Sequence, residues 1–458
     1  MALPQKHSSV ITRYYIDTRP LVPSNSKQPY SLPLLELLTF ADQEAVTRFL
    51  RPADKFMSLA SALLKYTFIH RQAKIPWSKV AIQRTPVPHR RPYWQPPDDW
   101  ESESKSGGLE FNVTHQAGMV VIIGCTTPTA QLPTSSSLSA KMDHLDLTGH
   151  HTPGLASSPH QVRLGIDIAC ADEDKRTPKD MTTQAKFDEW VDIFGEMFSE
   201  RERRDMRHAP VHMPVAEREE GAWDTESSSS SSEGRGATTE AARLRRAREN
   251  EAKVTQLKLR RFYAYWALKE AYIKMVGEGL LASWLKELEF LDVTAPVSPS
   301  ARISSRAKSH SRSRSRGTVA AHSRNHGHQH QHHHHSSSVS TPVLDRDAEE
   351  AAKWTHPSKA EKGMQTLLRG RKLDDVDIEL VAYDEDFLLA TAMQGVVEVF
   401  EEQQSATSAL RDSSSVENGS VDVQAAVVQP EPQRKRWIRL DIEKDIRPCA
   451  EGRCRCLD

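Results

Sequence analysis

The sequence predicts an α+β protein made of two halves, near residues 10–160 and 161–400, each with a small antiparallel sheet packed on a long helix. Short apolar runs that end at Pro or Gly indicate strands. Two long segments with apolar residues at helical spacing indicate the helices. Hydrophobic residues make up only 38% of the 458 positions, so disordered inserts are expected to separate the folded parts.

The first half begins with a predicted strand near residues 10–25, followed by a helix at 34–50 and a second helix at 50–72. Arg51 and Lys55 lie four residues apart at the start of the second helix. The free N–H groups of a helix N-terminus can add to an anion site there.

A strand at Val80–Arg84 leads into a Pro-rich basic loop that contains Arg84, His89, Arg90 and Arg91. Such a loop is most often only solvated, and a neighbouring anion site would be needed to give it a function.

Residues 111–125 read FNVTHQAGMVVIIGC and predict two strands joined by a turn at Gln116–Gly118. Met119–Ile123 is continuously apolar, which is typical of a buried strand. His115 lies at the end of the first strand, beside the turn. A structural histidine and a functional one are equally compatible with that position.

Another buried strand, QVRLGIDIA, carries an acid at Asp167. Because side chains alternate along a strand, Leu164, Ile166 and Ile168 share one face and Asp167 points to the other. A carboxylate at a strand end can hold a metal or polarise a substrate, and a plain surface Asp is the alternative.

Residues 183–208 and 241–281 predict helices, and the second carries Trp266, Glu270 and Lys274 at i, i+4 and i+8 on one face. Gly277 is placed to end it. A surface Glu–Lys pair of about 0.3–0.5 kcal/mol is the simplest interpretation of Glu270 and Lys274. A partly buried acid and base beside a Trp would instead mark a functional site.

The remaining sequence divides by composition. A Ser- and Thr-rich insertion covers 126–160, the second half covers 161–292 with a disordered insert at about 209–240, and an RS- and His-rich linker covers 293–372. A hairpin at 373–400 completes the second half. The tail, 401–458, is predicted to be mostly disordered, with a short strand near 436–443. Its CRC pair, Cys454 and Cys456, offers two ligands, too few for zinc.

Charge and cysteine content limit the function classes. Lys and Arg total 61 against 62 for Asp and Glu, so no overall positive field points to nucleic acid. Five scattered cysteines do not form a disulfide framework and suit a reducing compartment. An apolar signal segment and a membrane-spanning run are both absent from the sequence, so a cytoplasmic protein is expected.

Three segments together resemble the motifs of the 4'-phosphopantetheinyl transferases, of the large monomeric class that includes the surfactin-synthetase activator. The family pattern F-N-h-S-H, G-h-D-h and W-x-x-K-E-A-h-x-K (h, apolar) stands here as FNVTH at 111–115, GIDI at 165–168 and WALKEAYIK at 266–274. The Ser-rich inserts and the FLLATA segment look most like the fungal branch. The resemblance implies two pseudo-symmetric halves with the active site between them.

The resemblance also implies a reaction and its residues. The phosphopantetheine arm of coenzyme A moves to a serine of a carrier protein. Asp167 and Glu270 would hold Mg²⁺, Glu270 would also be the candidate base, and Lys274 would reach the pyrophosphate or keep Glu270 ionised. The coenzyme-binding residues would be His115 and Arg84, which would grip the 3'-phosphate, with Arg51, Lys55 and Arg91 as weaker candidates.

Two positions depart from the family pattern: Thr114 replaces Ser, and Ala169 stands where bacterial members carry a further acid, which animal and fungal relatives also lack. Carrier domains of fatty acid, polyketide and nonribosomal peptide synthases and of aminoadipate reductase are the expected partners, with docking near Met275–Leu281 and a monomeric enzyme. The alternatives are a catalytically idle interaction scaffold and an RNA-associated protein built on the RS tract.

Overall fold

The structure, a computed structural model, describes residues 7–24, 29–86, 90–97, 100, 108–127, 162–171, 180–211, 235–279, 282–296, 360–383, 386–399 and 437–458. Most of each predicted insert falls outside these ranges, as do His89, Leu280 and Leu281.

The helices are α1 (Phe40–Thr47), α2 (Pro52–Ala73), α3 (Gln184–Ile193), α4 (Glu200–His208), α5 (Arg235–Val276) and α6 (Arg447–Ala450). The strands are β1 (His7–Val10), β2 (Thr12–Asp17), β3 (Ile82–Arg84), β4 (Pro92–Trp94), β5 (Leu109–Gln116), β6 (Met119–Thr126), β7 (Arg163–Cys170), β8 (Leu288–Leu291), β9 (Gln365–Leu368), β10 (Arg371–Lys372), β11 (Val376–Tyr383), β12 (Phe387–Gln394), β13 (Val396–Val399) and β14 (Ile438–Arg439).

The two halves repeat one topology, which confirms the predicted pseudo-symmetric α+β architecture. In each half a strand is followed by a long helix and then by a hairpin whose second strand pairs antiparallel with the first strand. The N-terminal half uses β2, α2 and the β5–β6 hairpin, in a sheet of order β14-β2-β6-β5. The C-terminal half uses β7, α5 and the β11–β12 hairpin, in the order β11-β12-β7.

A glycine lets each sheet approach its helix closely. A Cβ on Gly124 of β6 would lie 2.2 Å from the Phe68 ring of α2. A Cβ on Gly165 of β7 would lie 2.0 Å from the Ala271 carbonyl oxygen and 2.5 Å from the Met275 nitrogen of α5. The glycine of the GIDI motif therefore has a packing role: it sets the distance between Asp167 and α5.

The faces of the two sheets that point away from the helices pack against each other. Val121 and Ile123 of β6 meet Ile166 and Ile168 of β7 in one buried cluster. The molecule is consequently layered as helix, sheet, sheet and helix, with an apolar core on either side of each sheet.

Two predicted helices are divided in the structure. Residues 34–50 form a short 3₁₀ turn and then α1, because Leu34 adopts a left-handed conformation (φ 61°) and the Thr39 side chain caps a new helix by accepting from the Asp42 N–H. Residues 183–208 form α3 and α4, and Ser199 and Glu202 start α4 with a reciprocal capping box.

Several other sequence predictions are confirmed. The hairpin at 373–400 is formed by β11 and β12. Helix α5 ends at Val276, where Gly277 adopts φ +82°. The strand near 436–443 is present as β14. The end of the tail, which was expected to be mostly disordered, is folded: it continues as helical turns to α6, because Ile442, Ile446 and Cys449 pack into the N-terminal core.

In the described part of the chain, every helix is too short or too polar to cross a membrane.

Candidate active site

Helix α5 leaves one narrow stripe uncovered in an otherwise buried stretch. From Leu259 to Met275 every residue is buried except Trp266, Glu270 and Lys274, which are half-buried. These are the three residues that the sequence placed on one helix face. Since the rest of this stretch lies within the C-terminal core, the stripe presents an acid and a base to the space beside the β5 and β7 edges.

Residues of the three motifs meet at this stripe. The Lys274 ammonium lies 2.5 Å from Asp167 Oδ1 and donates to Thr114 Oγ1 at 3.1 Å. The Thr114 hydroxyl in turn donates to Asp167 Oδ1 at 3.2 Å. The Asp167 side chain is 8% exposed, so its charge lies in a largely desolvated place where a partner is required. Lys274 of α5 is that partner.

The edge strands of the two sheets, β5 and β7, are joined by side chains of β5. Leu164 N donates to Glu110 Oε1 at 3.2 Å, and Ile166 N donates to Asn112 Oδ1 at 3.3 Å. Glu110 and Asn112 share a face of β5 with Thr114. Asn112, in the FNVTH motif, is therefore a positioning residue that sequence reasoning missed. Its signal was its period-2 spacing from Thr114.

His115 points to the opposite side of β5, where α2 packs. Its pKa is lowered, first because the surrounding protein desolvates the ring and then because the ammonium groups of Lys274 and Lys65 disfavour a further positive charge. The carboxylates of Asp54 and Asp167 oppose this effect. The charges of Lys65 of α2 and Lys274 of α5 therefore both act on His115 of β5.

Lys65 is a second residue that sequence reasoning missed. It is buried within α2, and burial lowers its pKa to about 8, helped by the nearby positive charge of Arg84 and opposed by Asp42. Arg84 itself is exposed and donates to the Arg90 carbonyl at 3.3 Å. Like charges held together in this way are stabilised by a bound anion. The burial of a lysine among apolar helix positions could not be read from its spacing.

The other predicted coenzyme-binding residues are placed differently. Arg51 is exposed at the N-cap of α2 and Lys55 is half-buried in its first turn. The first turn lies near His115, since the charge of Asp54 acts on that ring. Arg91 instead pairs with Glu110 and donates to the carbonyls of Met275 at 3.2 Å and Leu164 at 3.1 Å, which ties it to the boundary between the halves.

Lys269, the neighbour of Glu270, faces away from the site. Its side chain is fully buried and lies 2.9 Å from Glu202 Oε2, and its ammonium also donates to the Leu285 carbonyl at 2.9 Å. Glu202 completes its bonds by accepting from Phe290 N at 3.0 Å. Adjacent helix residues diverge by about 100° around the axis, so Lys269 turns into the core while Glu270 stays on the half-buried stripe.

Two family models match the chain. The model described as 4'-phosphopantetheinyl transferase, N-terminal, matches residues 24–127, and that of the 4'-phosphopantetheinyl transferase superfamily matches residues 231–335. The chain is 34% identical to 4'-phosphopantetheinyl transferase A of Aspergillus fumigatus over 449 residues, covering 97% of this chain and 96% of that protein. The chain belongs to the 4'-phosphopantetheinyl transferase family.

Other relatives of this transferase are also fungal. It is 33% identical to 4'-phosphopantetheinyl transferase NpgA of Emericella nidulans, covering 98% of this chain and 97% of that protein. It is 32% identical to a 4'-phosphopantetheinyl transferase of Aureobasidium melanogenum, covering 84% and 91%. The predicted family and its fungal branch are confirmed, and the idle-scaffold alternative is not favoured. The RS tract on which the RNA-binding alternative rests lies outside the described residues.

The donor set suits a hard divalent cation. Asp167 and Glu270 offer carboxylate oxygens, and Mg²⁺ typically takes one or two carboxylates together with substrate phosphate and water. Lys274 neutralises Asp167 in this structure. A cation at Asp167 would therefore be favoured when a polyanion arrives with it and engages the ammonium.

Proposed function

We propose that this transferase moves the 4'-phosphopantetheine group of coenzyme A to a serine of acyl, peptidyl or aryl carrier protein domains, with Mg²⁺ as its metal. The observation that supports this most strongly is the cluster of Lys274, Asp167 and Thr114, which joins all three sequence motifs across the two halves. A charge cluster at such a boundary suits a substrate that contacts both halves.

The pyrophosphate would bind on the α5 side of β5. Asp167 and Glu270 are proposed to hold Mg²⁺, which supplies neutralisation of the pyrophosphate charge when bound. The Lys274 ammonium is proposed to contact a pyrophosphate oxygen, which it can reach from its position beside Asp167.

The chemical step requires the carrier serine to lose a proton as it attacks the phosphorus. The new P–O bond forms to the serine oxygen, and the bridging P–O bond breaks to release adenosine 3',5'-bisphosphate. We propose Glu270 as the proton acceptor, since its half-buried carboxylate lies on the same helix face as Lys274, one turn before it.

The 3'-phosphate of coenzyme A would bind on the α2 side, where His115, Arg84 and Lys65 lie. The charge of Lys65 disfavours protonation of His115, and the charge of Arg84 disfavours protonation of Lys65, so a bound anion would favour the charged forms. Arg51 and Lys55 at the N-terminus of α2 are proposed as outer contacts. Arg91 stays a weaker candidate, because its guanidinium already bonds Glu110 and two carbonyls.

We propose as acceptors the carrier domains of fatty acid, polyketide and nonribosomal peptide synthases and of aminoadipate reductase, docked near Met275–Leu281 at the end of α5. We also propose a monomeric, cytoplasmic enzyme. None of the five cysteines, all of which lie within the described residues, is paired in a disulfide, which supports a reducing compartment.

The site assignment is tested with Asp167→Ala and Glu270→Ala in the full-length protein, assayed by transfer of labelled phosphopantetheine to an apo carrier domain. Both variants should lose transfer while their circular dichroism spectra and thermal unfolding stay close to those of the parent. Near-normal transfer by either variant would refute its assignment. Lys286→Ala, an exposed lysine ten or more residues beyond the stripe, serves as the unaffected control.

The two proposed phosphate sites predict different kinetics. Arg84→Ala and His115→Ala should mainly raise the KM for coenzyme A, because they contact a phosphate that does not react. With a coenzyme that lacks the 3'-phosphate, both variants should have the same KM as the parent protein has for that coenzyme. Equal losses with both coenzymes would place the 3'-phosphate elsewhere.

A further inference from the structure

Four potential metal ligands converge where the last residues of the chain meet α2. His70 comes from α2, and Cys449, Cys454 and Cys456 come from the C-terminal segment. Their ligand atoms all lie within 4.8 Å of one another. The sequence suggested only the CRC pair, which was too few for a metal, because neither Cys449 nor the distant His70 could be joined to it by spacing alone.

The His70 side chain is oriented by the backbone around it. It is buried in α2, and its Nδ1 lies 2.7 Å from the Ile75 carbonyl oxygen. Because a carbonyl can only accept, Nδ1 carries the hydrogen and Nε2 is left with its lone pair. Nε2 points at Cys454 Sγ, at 3.1 Å. Histidine ligands of metals are commonly held by such a hydrogen bond from the other ring nitrogen to a carbonyl.

The three cysteines are positioned by the folded C-terminal segment. Cys449 is buried in α6, and Ile442 and Ile446 anchor the turn before it in the N-terminal core. The chain then turns at Gly452, with φ +71°, and brings Cys454 and Cys456 back towards α6. Cys449 Sγ and Cys456 Sγ lie 3.8 Å apart.

This spacing fits a tetrahedral metal and not a disulfide. Zinc–sulfur bonds of about 2.3 Å in tetrahedral geometry place two sulfur atoms about 3.8 Å apart. A disulfide would require about 2.05 Å. Three thiolates and one imidazole also form one of the recurrent sets for structural zinc, in which the protein supplies all four ligands.

The positive charges around the four ligands also favour a zinc–thiolate site. Three thiolates with a divalent cation carry one net negative charge. The Arg71 guanidinium approaches Cys449 Sγ at 3.7 Å and donates to the Asp445 carbonyl at 2.7 Å. Lys74 Nζ donates to the Cys456 carbonyl at 2.6 Å. These two cations lie on the α2 side of the cluster and compensate its charge.

We propose that His70, Cys449, Cys454 and Cys456 form a structural zinc site that fastens the C-terminus to α2. Because all four positions are filled by protein, the site leaves no coordination position for substrate, and its role is to hold the C-terminal segment, including β14, on the N-terminal sheet. It is separate from the transferase site, which uses other residues.

Metal analysis of the full-length protein tests the proposal. Protein purified without chelator should contain about one zinc per chain by elemental mass spectrometry. Cys454→Ser/Cys456→Ser should lose the metal, whereas Cys125→Ala, which removes a buried thiol of another core, should retain it. Absence of zinc from the parent protein, or retention of full zinc by the double variant, would overturn the proposal.

A measurement on the unaltered chain covers the case in which the double variant does not fold. Cys454 and Cys456 are half-buried, so a maleimide should label them slowly in the zinc-loaded protein and rapidly after a chelator is added. The chelator should also lower the thermal unfolding midpoint, and zinc should restore it. Rapid labelling without chelator, or an intact mass lower by two hydrogens that shows a disulfide, would rule out the zinc site.

Discussion

Lys65→Met should make the protein more stable and at the same time weaken coenzyme A binding. Lys65 is 6% exposed, and its ammonium lies in a desolvated place beside the positive charge of Arg84. Methionine keeps nearly the same volume and removes the charge. Asp42 does not lose its support, because it also accepts from the Thr39 and Tyr66 hydroxyls at 2.8 and 2.9 Å.

The size of the effect follows from the pKa of Lys65, which is about 8 in the folded protein against 10.5 for an ordinary lysine. This difference means that the charge on Lys65 lowers the free energy of unfolding by at most about 3 kcal/mol. Between about pH 8 and 10.5 the unfolded chain binds more protons than the folded one, so the stability of the parent protein rises with pH there. The increase in the free energy of unfolding that Lys65→Met gives is therefore largest below pH 8 and decreases towards pH 10.5.

The assay is urea unfolding followed by tryptophan fluorescence, at about pH 7 and about pH 9.5, together with the KM for coenzyme A. We expect a higher free energy of unfolding at the lower pH, a smaller gain at the higher pH, and a KM raised about tenfold or more from loss of a charged phosphate contact. Lys286→Met, at an exposed lysine, should change stability by less than about 0.5 kcal/mol. A destabilised Lys65→Met with unchanged KM would refute the reasoning.

Three further predictions follow from the packing. Gly165→Ala puts a Cβ 2.0 Å from the Ala271 carbonyl oxygen, so it should lower the free energy of unfolding by about 1–3 kcal/mol in chemical denaturation. Because the clash moves Asp167 away from α5, the rate of transfer should fall about 100-fold in a kinetic assay. Gly124→Ala meets the Phe68 ring, which can move, and should lower stability while leaving the transfer rate per folded molecule nearly unchanged. Lys269→Met should destabilise by about 3–5 kcal/mol because Glu202 is left buried and unpaired, and adding Glu202→Gln should recover part of that loss in chemical denaturation.

Most of the fold could be predicted from the sequence because the signals for strands and helices are local. Short apolar runs bounded by turn residues located β5, β6, β7 and the β11–β12 hairpin, and helical spacing located α2 and α5. The division of 183–208 was missed even though the Ser199–Glu202 capping box is visible in the sequence, since the apolar spacing continues across it. Boundaries of this kind depend on caps more than on periodicity.

The site was predicted only in part because its contacts are long-range. Spacing showed that Glu270 and Lys274 share a face, but only the fold shows that Lys274 contacts Asp167, 107 residues earlier in the chain. The burial of Lys65 and the convergence of His70 on the C-terminal cysteines depend likewise on which elements pack together. A sequence gives no distance between such positions.

Strand β5 divides the proposed site into two compartments. Thr114 and His115 are adjacent, so their side chains point to opposite faces of the strand. The Thr114 hydroxyl contacts Lys274 of α5 and Asp167 of β7. The His115 ring lies on the α2 side, and its pKa responds to Lys274 and Lys65 and to the carboxylates of Asp54 and Asp167. The repeated topology thus brings one lysine from each long helix to the same strand, from either side. We infer that the phosphate that reacts binds on the Thr114 face of β5 and that the phosphate that only anchors the coenzyme binds on the His115 face. Both faces hold cations and carboxylates, since Asp42 and Asp54 act on Lys65 and His115, so the alternation of the strand separates the two phosphates by position and not by the sign of the nearby charge.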